Sequence, residues 1–253
     1  MTLPNEPPQL QPQTPKTNTG VVIGIVVAVC AVPVLLVCMG ILVGLLLPAV
    51  QASREAARRM QCSNNLKQIV LALYNYESEY KRFPPAFTTD ENGRPLHSWR
   101  TLILPYIEQN QVYQSIDLSK PWDDPINQAA AQTIIPTYCC PSSGERSVET
   151  VYQVIVDPAS PFPGATPLRL GDVTDGTSNT VAIVETTSAE SVPWMSPADT
   201  SLTAFMAASK GHHSGGCNCA FCDGSVKFLS NSMDPTVRQA VATRAGGEIV
   251  SMD

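Results

Sequence analysis

Between Thr17 and Ser53 the chain carries no ionisable side chain except the thiols of Cys30 and Cys38, and Val21 to Val50 is apolar almost without interruption. A backbone that crosses a bilayer must satisfy its hydrogen bonds within its own segment, and about 20 apolar residues in a helix are enough to do so. A cleaved secretory signal has a shorter apolar region, of about 7–15 residues, followed by a small-residue cleavage site. Here the apolar run passes straight into a further helical pattern. A core helix of a soluble protein would show a charged or polar residue over such a length. We therefore expect one transmembrane helix over residues 20–50, preceded by a disordered Pro-rich tail over 1–19 and followed by a globular domain over 51–253.

Orientation is read from two opposed signals. Arg54, Arg58, Arg59 and Lys67 follow the span while only Lys16 and the terminal amine precede it, which by the positive-inside rule alone would keep the domain in the cytoplasm. Six cysteines outside the span, and the tolerance of long domains for translocation whatever the flanking charge, favour export. The expectation is a single-pass membrane protein with its domain outside the cytoplasm. From Val70 onward there are 11 Lys or Arg against 20 Asp or Glu, the wrong sign for gripping phosphate backbones, so nucleic acid is not an expected partner.

Beyond the span the helical pattern continues. Ala49, Ala52, Ala56, Met60, Leu66, Ile69, Leu73, Tyr76 and Tyr80 recur at three- or four-residue intervals as one apolar stripe, which needs a partner surface. Helix from Val21 to about Tyr80 would be about 90 Å long, with Pro33 and Pro48 as kink points and Phe83-Pro84-Pro85 as its stop. Trp99 to Tyr113 then reads as a short helix beginning near Ser98. Val151 to Val156 and Thr180 to Val184 read as strands, the second preceded by the turn Asp175-Gly176-Thr177-Ser178-Asn179. Asn218 to Cys222 and Ser225 to Leu229 flank Asp223-Gly224, a two-residue hairpin signal in which both turn positions need positive φ. Pro235 to Ala245 reads as a final helix ending at Gly246-Gly247. A long helix followed mostly by strands predicts an α+β domain, the helix packed on an antiparallel sheet.

The run LLLPAVQASREAARRMQCSNNLKQ, then FPPA, HSWRTLILPYIEQ, CPS, DGTSNT and VPW, and finally His213 separated by nine residues from Asp223-Gly224, resembles a planctomycete family of pilin-like proteins of unknown function with a His-X9-Asp-Gly motif. The resemblance covers roughly residues 45–250 and implies a type IV pilin- or pseudopilin-like fold. Many members of that family begin with a prepilin cleavage motif, a glycine followed by Phe-Thr-Leu and a glutamate at the fifth mature position. This chain departs from it: Gly20 is followed by Val21-Val22-Ile23-Gly24-Ile25, with no glutamate in the span. The resemblance implies a pilin-like fold without implying a pilus, and the missing motif argues for a permanent anchor.

The densest chemistry lies at His212-His213, Cys217, Cys219, Cys222 and Asp223. His213, Cys217, Cys222 and Asp223 are the candidate metal ligands, but their spacing matches no known zinc module, and on one strand Cys217 and Cys219 share a face that Cys222 does not. The preferred reading is structural, with Asp223-Gly224 as turn chemistry, His213 bonding nearby backbone, and no metal or other cofactor bound. Among the exported cysteines, Cys62 with Cys139 or Cys140 would staple helix to sheet, and Cys217, Cys219 and Cys222 are further disulfide candidates. Asp172, Asp175, Glu185 and Asp223 are considered for calcium, but their spacing matches no EF-hand loop and a solvated acidic rim is preferred. A triad of His97 with Ser98 lacks a Gly-x-Ser-x-Gly elbow. Trp99, Trp122 and Trp194 are assigned to packing.

The resulting expectation is a membrane-anchored, non-catalytic structural or interaction protein, whose partners are the lipid bilayer and like subunits or cell-envelope proteins. The rivals are an anchored binding protein for a metal or small solute and, last, a hydrolase.

Overall fold

The computed structural model describes residues 19–144, 146–207 and 212–248. The tail expected over 1–19 lies, apart from Thr19, outside the described residues. The chain divides into two compact units, Met1–Ser53 and Arg54–Asp253.

In the first unit the described backbone is the leading part of helix α1 (Thr19–Tyr80), with Pro33 and Pro48 inside it. Its described side chains are exposed, Val21, Leu35, Met39 and Leu45 each by more than half. The helix is long and apolar enough to cross a membrane, and none of its most apolar window is buried against the protein.

In the second unit the same helix turns one face inward. Cys62, Leu66, Ile69, Val70 and Leu73 are buried at the three- and four-residue spacing of a helix face, and they share a core with sheet residues Ala182, Ile183, Ala220 and Cys222. Three expected members of that stripe within this unit fall elsewhere: Ala56 is exposed, Met60 is 62% exposed and Tyr80 51%. Met60 is two residues, about 200° of helical rotation, from Cys62, and so faces away. The helix stops before the prolines, because Lys81 takes a left-handed φ of 60° and donates its N–H to Glu77 O at 2.7 Å.

The strands are short. They are β1 (Phe87–Thr89), β2 (Pro95–Ser98), β3 (Glu149–Thr150), β4 (Tyr152–Gln153), β5 (Ile155–Val156), β6 (Val181–Glu185), β7 (Val192–Pro193), β8 (Thr200–Ser201), β9 (Gly216–Phe221) and β10 (Val226–Ser230). The main sheet has four strands in the order β10-β9-β6-β4, every pair antiparallel. Two-stranded pieces surround it, β1-β2 and β3-β7 antiparallel and β5-β8 parallel. The domain is thus mixed α and β, with small and mainly antiparallel sheets. Strand alternation sorts the sheet's faces: Ala220 and Cys222 point to the α1 side, whereas Cys219 and Phe221 join Val184 and Phe205 in a second core. That second core is closed by α5 (Leu202–Ala207) and α6 (Pro235–Ala242).

Several elements differ from expectation for local reasons. The segment expected as one strand over Val151–Val156 splits between two sheets, since the Val154 N–H leaves the ladder to bond Asp199 Oδ1 at 3.0 Å. The helix expected over Trp99–Tyr113 does begin at a Ser98 cap, whose hydroxyl accepts from Arg100 N. It breaks into α2 (Trp99–Leu102), a 3-10 turn (Leu104–Ile107) and α3 (Asn110–Gln114). Pro105 withdraws an amide, and Glu108 sits at a left-handed φ of 63°. The β9–β10 hairpin forms, but with a three-residue loop, Cys222–Gly224: Val226 pairs with Ala220 and Phe221 N bonds Ser225 O at 2.8 Å. Only Gly224 takes a positive φ there, 87°, the pattern of a type I turn closed by a glycine bulge. The last helix ends at Ala242 because Arg244 is drawn into loop contacts, its N–H bonding Ala159 O and its carbonyl receiving Thr174 N. A short helix α4 (Gln128–Ala131) completes the set.

Candidate functional site

His213 is placed by a tight turn ahead of β9. Its N–H bonds Gly216 O at 3.0 Å and its carbonyl accepts Gly216 N at 3.2 Å, with Gly215 at φ 87° between them. The backbone therefore holds the ring against α1, where it is buried. Nδ1 lies 2.9 Å from Glu55 Oε1 on α1, and Nε2 lies 3.1 Å from Glu185 Oε2 at the end of β6.

Glu185 is the other half of the site and has no exposed side-chain surface. It closes the otherwise apolar strand Val181–Glu185, and Asn218 of β9 reaches it twice, the backbone N–H at 3.1 Å and Nδ2 at 3.0 Å, both onto Oε2. Its Oε1 lies 3.2 Å from Cys140 Sγ. Cys140 is bonded to Cys62 of α1, their Cα atoms 5.4 Å apart, while Cys139 remains a free thiol near the carbonyls of Ile135 and Ser147. Glu55 and Cys62 are seven residues apart, two helical turns, and so lie on one face of α1. One ligand atom each from Cys62, Cys140, Glu185 and His213 falls within 4.8 Å of all the others, and all four residues are buried.

The electrostatics follow from this packing. Burial pushes the His213 pKa down, but the Glu185 and Glu55 carboxylates beside it outweigh burial and the net shift is upward. The hydrogen bond to His213 holds the Glu55 carboxyl below its usual range against a smaller desolvation, with Arg58 2.6 Å away adding to the effect. Burial lowers the pKa of the neighbouring His212, with Glu185 opposing it.

The remaining candidates lie apart. Cys217 and Cys219 share a face and bring their sulfurs to 3.8 Å, on the sheet's second-core side, whereas Cys222 faces the α1 core. Asp223 accepts Ser225 N within the hairpin loop. Thus the metal set His213, Cys217, Cys222 and Asp223 does not converge, because strand alternation divides the cysteines; His213 meets Cys62, Cys140 and Glu185 instead. The calcium set does not gather either. Asp172 accepts Arg169 N, Asp175 holds the N–H groups of Gly246 and Gly247, and Glu185 is inside. Ser98 is occupied as a helix cap, and burial lowers the pKa of His97, whose ring faces the backbone of Asp117 and Lys120.

The domain holds a second buried charge centre to which no sequence signal points. Arg100 and Asp199 form an ion pair at 2.6 Å with no exposed side-chain surface. The guanidinium also donates to the carbonyls of Trp194, Tyr152, Ser196 and Ala198, and Asp199 Oδ1 accepts Trp99 Nε1 and Val154 N. The guanidinium is bound on several sides, as a buried charge requires, whereas Asp199 takes all of its bonds on Oδ1. Arg100 stands in the same His-Ser-Trp-Arg segment that drew attention to His97. The sequence signal for Glu185 is a lone acid ending a β-branched run, and for Glu55 its two-turn spacing from Cys62.

A family model described as "Protein of unknown function (DUF1559)" matches residues 51–162 and 191–236, well over half of the chain. No curated protein and no solved structure matches it.

Proposed function

The chain belongs to this family of unknown function, and we propose that it is a membrane-anchored, pilin-like structural or interaction protein with no catalytic role. The observation that carries the reading is the long apolar leading part of α1, whose large side chains are exposed by about half or more among the described residues. In water, that much exposed apolar surface is unfavourable by about 25 cal/mol per Å². A bilayer removes the cost. The lack of any acid within the span supports a permanent anchor, while the His213-X9-Asp223-Gly224 spacing and a helix packed on a small antiparallel sheet support the pilin-like part of the proposal. The Cys62–Cys140 bond supports an exported domain, since oxidising compartments preserve such bonds. Partners are then the lipid bilayer and like subunits or other cell-envelope proteins. Exposed apolar residues Met60 and Leu71 on the domain's part of α1 are available to them.

The test is photo-crosslinking in intact cells from positions 60 and 71. Adducts with the same chain or an envelope protein are expected, together with labelling of domain lysines by a membrane-impermeant reagent. Recovery solely as an uncrosslinked monomer, or a domain shielded from the reagent, would overturn it.

A further inference from the structure

The cluster of Cys62, Cys140, Glu185 and His213 carries more than a structural bond, and this holds whether or not the chain assembles as proposed above. Four side chains of the types that bind zinc meet in one buried place, each from a different part of the fold: α1, the loop at Cys140, the end of β6 and the turn before β9. Their ligand atoms lie within 4.8 Å of one another. Around a tetrahedral zinc, with Zn–S about 2.3 Å and Zn–N about 2.0–2.1 Å, adjacent ligand atoms are roughly 3.3–3.8 Å apart. Small side-chain movements separate the arrangement present from one that closes around an ion.

Two further observations point to a ligand. His213 Nε2 is buried and, although 3.1 Å from Glu185 Oε2, is not aimed for a hydrogen bond to any described residue. The opposite nitrogen, Nδ1, is held at 2.9 Å by the Glu55 carboxylate. That is the arrangement by which metal-binding histidines are oriented, one nitrogen on a carboxylate and the other toward the ion. In addition, Glu185 Oε1 rests 3.2 Å from a disulfide sulfur, which has no proton to offer it. Once the sulfurs are thiolates on a cation, the same carboxylate has a positive partner.

We propose that this cluster is a redox-gated zinc site: closed as the Cys62–Cys140 disulfide, and able to bind one zinc ion through Cys62, Cys140, His213 and Glu185 when the disulfide is reduced. A dithiol reductant supplies the two electrons and two protons that convert the S–S bond to two thiols, itself becoming a cyclic disulfide. Zinc then displaces the two thiol protons to solvent and is held by two thiolates, His213 Nε2 and a Glu185 oxygen. Glu55 is a positioning residue for His213. Zinc is the apt divalent ion because thiolate and imidazole ligands favour it over magnesium or calcium.

The test uses the full chain in detergent, reduced with a dithiol and freed of reductant, titrated with cobalt(II) as a spectroscopic probe and then with zinc. One equivalent of cobalt is expected to give tetrahedral visible bands and thiolate charge-transfer absorption, both erased by one equivalent of zinc. The oxidised chain should give neither. In reduced Cys217→Ser/Cys219→Ser the bands should persist, and in His213→Ala they should be lost. Glu55→Gln, a change at a half-buried surface position, should weaken zinc binding about 10- to 100-fold. Equal bands in the oxidised chain, bands lost in Cys217→Ser/Cys219→Ser, full affinity in Glu55→Gln, or a reduced chain without bands would each overturn the proposal.

Discussion

At His213 two carboxylates raise the imidazole pKa above 6.5 despite burial, and at Glu55 the same contact lowers the carboxyl below 4.5. The histidine binds its proton more tightly folded than unfolded, so its contribution to stability is complete below 6.5 and is lost as pH rises through the folded value. The glutamate's contribution is present above 4.5 and is lost as pH falls through its lowered value. The pair therefore stabilises most between these limits. Chemical denaturation of the wild type and of His213→Gln across pH should show the largest gap in that window, narrowing toward pH 9; a gap constant across the range would exclude the pairing. At the second charge centre, Asp199→Ala leaves Arg100 buried without its counter-charge, and a loss of about 3–5 kcal/mol in unfolding free energy is expected. Replacing both together, as Arg100→Met with Asp199→Leu, should cost less than the single change. Neither centre was legible as a centre. Type and spacing place Glu185 on an acidic rim and single out nothing at Arg100, because they say nothing about which distant side chains surround a group.

Among the elements, the β9–β10 hairpin illustrates how a turn signal can be right in kind and wrong in detail. Asp223-Gly224 does mark the turn, but a left-handed residue is needed only at Gly224, and the loop gains a third residue. Gly216 at the other end of the hairpin had no signal at all. A Cβ built there would lie 2.0 Å from Leu229 O, a backbone atom that cannot move without moving the strand. Gly216→Ala should destabilise the domain by about 1–3 kcal/mol, measured by urea unfolding, and displace His213, whose backbone is bonded to residue 216. The bond between Cys62 and Cys140 spans 78 residues of sequence, and in the chain-entropy model closing a loop of that size contributes about 4–5 kcal/mol. Cys62→Ala/Cys140→Ala should lower the unfolding free energy by that order. The sequence offers Cys139 or Cys140 as a partner for Cys62 among six candidate cysteines and leaves the pairing open, and the fold alone selects Cys140.

Over the whole molecule the two units make different demands on solvent. The leading part of α1 exposes nearly all its apolar side chains, while the domain from Arg54 onward buries Trp99, Trp194, Tyr152 and Phe162 and keeps its charges outside or paired. The full chain is therefore expected in the membrane fraction after alkaline washing, and a chain starting at Arg54 in the supernatant. Membrane retention of the shorter chain would mean that the domain itself binds lipid or a membrane partner.

The sequence by itself determined the apolar helix, the continuation of helical pattern to Tyr80, the hairpin at Asp223-Gly224 and the mixture of helix and mainly antiparallel strands. These rest on local quantities: hydrophobic run length, three- and four-residue periodicity, and the turn preferences of glycine and aspartate. Only the tertiary structure decided which face of α1 is buried, where the strand over Val151–Val156 breaks, and that His213 meets Glu55, Glu185, Cys62 and Cys140 rather than Cys217, Cys222 and Asp223. Those outcomes depend on contacts between residues distant in sequence, 45 positions for Val154 and Asp199 and 158 for Glu55 and His213, and on the parity of a strand against the phase of a helix. Neither is a property of any window of sequence, because both are set when the helix docks on the sheet.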